Sequence, residues 1–172
     1  MSILEETKSL FAHMFWADAT VWESVFDLSD YQTNQKLKQL LHHIHSVQHA
    51  YLLLWLGKEL NIPELNSFKR FQEISDWGLT FYLELENYLD DIIESHLYQL
   101  ISIPWSEHLA KKIGKPPEQP NLLQMMNQVI LHSGYHRAQA NKMIREMGGE
   151  PPLVDFIMWI WLGKPDAKWP TQ

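Results

Sequence analysis

The sequence predicts an all-α protein, a four-helix bundle with a short additional C-terminal helix. Three observations predict it. Apolar residues recur at three- and four-residue spacing almost throughout, which stacks them on one helix face. No long stretch alternates with period two, so no strand is expected. Glycine and proline fall mainly between these periodic segments rather than inside them.

The first helix is expected from about Ile3 to Phe26, with Leu4, Leu10, Met14, Val21 and Val25 on its inner stripe. A polar turn, Asp27 to Thr33, follows. The second helix runs from about Asn34 to Glu59, turning Leu37, Leu40, Leu41, Ile44, Val47, Tyr51, Leu52 and Trp55 inward, and Gly57, Asn61 and Pro63 end it. The third spans about Ser67 to Ile101, with Gly78 as a weak point where it bends or restarts. Pro104 to Pro120 reads as one long irregular connection, of a length that either serves as a lid over a site or simply crosses the end of the bundle. The fourth helix, about Asn121 to Met147, carries a seam of Leu122, Met125, Val129, His132, His136, Ala140 and Met143. Gly148 and Gly149 stop it, and a short apolar helix, Leu153 to Leu162, precedes a Pro-containing tail.

Size and composition bound the function. A chain of 172 residues is expected to form one domain, 1–172, large enough to bury a core without staples. The absence of cysteine excludes disulfides, thiolate metal sites and a cysteine nucleophile, and fits a reducing compartment. The N-terminus has no signal-peptide pattern, and the apolar runs Tyr51 to Leu56 and Phe156 to Leu162 fall far short of the roughly 20 residues a membrane span needs. The expected location is cytoplasmic, away from membranes. Net charge is −7 with three arginines, which argues against a nucleic-acid partner. Lys111, Lys112 and Lys115 read as a solvated turn.

The chemical signal lies in nine histidines. His132 and His136 stand at i, i+4, so both imidazoles reach one point on one helix face. They occupy consecutive slots of the apolar seam and are therefore expected to face the core, where each unpaired nitrogen costs about 1–3 kcal/mol. A metal ion would satisfy both rings at once. Ser133, Gly134 and Tyr135 lie between them, so this is not the zincin pattern with its glutamate base. A third ligand is expected from the second helix. On a helical wheel His42 and His49 fall outside, while His43 and His45 lie on opposite flanks of the inner face, and geometry leaves both open. His13, His96 and His108 read as surface residues, and Arg137 as the partner of a carboxylate on a neighbouring helix.

Several segments resemble the DinB-like family of metal-dependent enzymes. L-H-H-I-H-S-V resembles that family's second-helix segment, which places a ligand role on His43. H-S-G-Y-H-R-A-Q resembles its paired-histidine signature, which places ligand roles on His132 and His136, although Ala138 stands where the family often has glycine. F-W-A-D at Phe15 to Asp18, I-R-E-M-G-G-E-P-P and D-F-I-M-W-I-W extend the likeness over nearly the whole chain. The resemblance implies one divalent ion held by His43, His132 and His136, and three neutral nitrogens suit zinc, nickel or iron. It further implies an enzyme acting on a small-molecule substrate through a metal-activated thiol or water, a thiol S-transferase using a low-molecular-weight thiol or a hydrolase. The competing expectation is a non-catalytic, stress-associated metal-binding protein. In that case Trp159, Trp161 and Trp169 would pack between the subunits of a homodimer.

Overall fold

The computed structural model describes residues 2–171. Its helices are α1 (Ile3–Phe26), α2 (Gln35–Trp55), α3 (Phe71–Asp91), α4 (Glu107–Ile113), α5 (Leu122–Glu146) and α6 (Phe156–Trp161). The long four, α1, α2, α3 and α5, form the predicted bundle, and α6 is the predicted short helix. Among the described residues β-type pairing is limited to a single bridge between Leu100 and Asn121. No described helix is long and apolar enough to cross a membrane.

Local chemistry sets the starts. The Ser2 hydroxyl accepts the Glu5 N–H at 3.2 Å, and the Asn34 side chain accepts the Leu37 N–H at 3.0 Å. Asn121 and Gln124 cap α5 reciprocally. Two C-terminal ends differ from expectation. α2 stops at Trp55 because Gly57 turns the chain at φ +65°. α3 stops at Asp91, ten residues before the expected Ile101, and a 3-10 turn over Glu94–Tyr98 follows. Asp90 and Asp91 close that helix at the negative end of its dipole, where carboxylates are unfavourable. Within the expected loop, α4 forms with Glu107 in its first turn and Lys111 and Lys112 in its last, the charge order a helix favours.

The bundle runs up-down-down-up. α2 and α3 are parallel: Lys38 meets the start of α3, the His45 ring meets Gly78 and Trp55 meets Tyr88. α1 and α5 are also parallel, with Asp18 beside Arg137 and Leu28 against Gly149. Residues 56–70 must therefore retrace the bundle. The buried Lys38 ammonium holds that return, donating to the carbonyls of Phe68 at 2.6 Å and Lys69 at 3.2 Å. α1 and α3 pack loosely, and the tail fills part of the gap: Trp169 lies against Phe15 and Tyr82 and donates to Ser75 Oγ at 3.0 Å. Trp159 is likewise internal, packed on Trp16 and Ala17, whereas Trp161 is exposed.

The core has two apolar halves. One gathers Phe11, Met14, Leu52, Phe81, Met125 and Val129, and the other Val21, Val25, Leu41, Ile44, Ala140 and Ile144. Between them lies a polar layer contributed by all four long helices. Asp18 binds Arg137 at 2.6 Å, Gln48 at 2.8 Å and the Tyr82 hydroxyl, and Gln48 also donates to Ser133 Oγ at 3.0 Å.

Candidate metal centre

His43 lies on the side of α2 that faces α5, at the level of the polar layer, and His132 and His136 lie on the matching flank of α5. α2 and α5 run antiparallel and pack closely, with Gln48 bridging to Ser133 and Asn34 meeting Met147 near the far end. One ring nitrogen from each of the three histidines falls within 4.8 Å of the others, a group that can hold a metal ion. The ring centroids are 4.4 Å apart for His132 and His136, 4.7 Å for His43 and His136, and 5.1 Å for His43 and His132. His43 is exposed, and the other two are half-buried.

The electrostatics favour neutral rings. Burial lowers His132 to about 4, with further lowering from the neighbouring His136 and His43. Burial, followed by His136 and His42, also lowers His43. Lone pairs are thus available at neutral pH, as a metal ligand requires. Gln139 Oε1 lies 3.0 Å from His136 Nδ1. A carbonyl oxygen only accepts, so the proton sits on Nδ1 and the Nε2 lone pair is free. His132 Nδ1 is buried without a hydrogen-bond partner among the described residues. Three imidazole donors, one of which carries an unsatisfied buried nitrogen, fit a divalent ion of intermediate softness.

Several expected placements are corrected. His132 and His136 do not face the core. The inward positions of α5 belong to Ser133 and Arg137, and the histidines occupy its flank. His45, the alternative to His43, is fully enclosed and already engaged: Nδ1 donates to Gln48 Oε1 at 2.8 Å and Nε2 accepts from Trp22 Nε1–H at 2.9 Å. Its ring lies against Gly78, where an added Cβ would stand 2.6 Å away, so Gly78 makes room for an imidazole and α3 continues through it. His49, expected outside, is buried and stacked on Trp77 with ring centroids 4.4 Å apart, and His42 bonds the Pro63 carbonyl. His13, expected at the surface, is buried against the Val154 carbonyl. Residues 104–120 are not a lid over the histidines. They lie at the far end of α2, where Trp105 packs on Tyr51. Arg137 does pair with a carboxylate on a neighbouring helix, Asp18.

The polar layer escaped the sequence reading except at Arg137. One signal was available: Asp18 interrupts the inner stripe of α1 between Met14 and Val21, and a lone carboxylate on a buried stripe needs a partner.

The sequence matches the DinB family over residues 4–167. No curated protein matches the chain individually. A match spanning nearly the whole chain, carried by an all-α bundle with clustered histidines on two neighbouring helices, establishes that the chain belongs to the DinB family.

Proposed function

We propose that the protein is a metal-dependent enzyme in which His43, His132 and His136 hold one divalent ion. The observation that carries this reading is the convergence of three imidazoles with one side exposed. Three protein ligands leave coordination positions free, as catalytic sites do, whereas structural zinc sites are closed by four. A divalent ion held there supplies a Lewis acid that makes a thiol or water nucleophilic at neutral pH, which suits S-transfer from a low-molecular-weight thiol to an electrophile, or hydrolysis.

The chain's own groups do the positioning. The lowered proton affinity of His43 and His132 keeps their lone pairs free. Gln139 fixes the orientation and tautomer of His136, and the Tyr135 ring packs edge-on against it with centroids 5.0 Å apart. The exposed His43 side is the approach for a small molecule.

Elemental analysis of protein purified without a chelating column tests the centre. Wild type and His42→Ala should carry metal, and His43→Ala, His132→Ala and His136→Ala should not. Equal metal content in wild type and the triple variant removes the proposal. For the reaction, a panel of thiols should react with monochlorobimane faster on metal-loaded than on stripped protein. Equal rates across the panel would leave a metal-binding protein without this activity.

A further inference from the structure

We propose that the ligand of this centre is an elongated small anion, its metal-binding head at the three histidines and its anionic end held by Lys36 and Lys142. The inference rests on the reading of the triad as a metal site and adds the class of molecule it receives.

A groove of about 520 Å³ starts at His43 and Gln139 and follows the α2–α5 seam toward the N-terminal end of α2. Its size suits a small-molecule site. Leu40 and Met143, both packed on the core, provide an apolar floor. Beyond them stand Lys36 from α2 and Lys142 from α5, one on each side. Lys36 lies seven residues before His43 and Lys142 six after His136, so both cations stand about two turns, roughly 10 Å, from the triad.

The charge lining the groove is opposite in sign to the net charge of the chain. The chain carries −7 overall, yet here two lysines face a single carboxylate, Glu146. Lys36 pairs with no carboxylate among the described residues. Lys142 meets Glu146 at 3.6 Å, an exposed i, i+4 pair of the weak kind that a ligand carboxylate displaces. A cationic ligand would meet two ammonium groups, and a wholly apolar one would leave both unused. An anionic end separated from the metal-binding head by an apolar stretch uses every part of the groove.

Two hydroxamates with the same head and chain length test this: suberic acid monohydroxamate, which ends in a carboxylate, and octanohydroxamic acid, which ends in a methyl group. Titrated into metal-loaded protein, the carboxylate probe should bind about three- to tenfold more tightly. The preference should disappear in Lys36→Glu/Lys142→Glu protein and shrink in high salt, which screens exposed charges. Both lysines are exposed, so the variant should keep its fold and its metal. Equal affinities in wild type, or a preference that survives both the double substitution and high salt, would overturn the anion site while leaving the triad intact. If metal-loaded and stripped protein bind neither probe differently, the triad reading fails and this inference fails with it. Metal content measured on the same samples separates the two failures.

Discussion

Two imidazoles two positions apart on α2 meet opposite surroundings. His45 points into the polar layer, where each ring nitrogen has one partner and the donors run in a single sense, from Trp22 to His45 to Gln48 and from Gln48 to Asp18. His43 points to the flank, where two further imidazoles converge on it and one side stays exposed. The same residue type on the same helix is complete in one place and unfinished in the other. A closed network has no capacity left for a ligand and serves to fix the helices relative to one another. A cluster with free lone pairs and an orphaned nitrogen is built to receive something.

The comparison breaks most visibly when the closed side is opened. Arg137→Ala strands the Asp18 carboxylate in the interior, and the expected loss is about 3–5 kcal/mol in urea unfolding. A loss no greater than at a surface site would mean that the layer does not hold the bundle together.

Acid gives a somewhat smaller effect. Burial lowers His49 to about 4, against the opposing pull of its bond to the Trp77 carbonyl, and burial also lowers His45. An unfolded histidine titrates near 6.5, so below that pH the unfolded chain takes up a proton that the folded chain refuses. The stability tied to His49 is therefore complete above about pH 6.5 and lost as pH falls through about 4, amounting to at most about 3 kcal/mol. Burial also lowers His132 to about 4, so the test uses metal-free protein with His43, His132 and His136 changed to Ala. An unfolding free energy flat across that window would contradict the enclosed placement of His45 and His49.

The smallest effect should come from the open side. In metal-free protein the triple change of His43, His132 and His136 to Ala should alter stability by no more than about 1 kcal/mol, because those side chains lie on the flank and Gln139 is the one hydrogen-bond partner they engage among the described residues. A loss as large as that of Arg137→Ala would assign the triad to the scaffold.

The long helices were legible because their apolar period is regular, and the triad because i, i+4 spacing is a local fact. What stayed hidden depends on neighbours. A wheel drawn from the apolar positions of α2 gives a narrow inner face, but that helix packs against both α5 and α3, and its buried arc also takes in Lys38, His45, Gln48 and His49. His49 was misplaced for that reason. On α5, counting only apolar residues put His132 and His136 inward in place of Ser133 and Arg137, whose polarity is matched by Gln48 and Asp18 on other helices. Helix direction is silent as well, since hydrophobic periodicity reads the same in either sense.

That direction has a topological consequence. Because α2 and α3 run the same way, the return segment joins two helix pairs, α1 with α2 and α3 with α5, and its stretch from Gly57 to Asn61 is exposed. Cutting the backbone there would remove connectivity and few contacts, and the halves would retain complementary surfaces for reassembly. His43 would belong to one fragment and His132 and His136 to the other, so two separately expressed pieces could recreate the three-ring cluster only by associating.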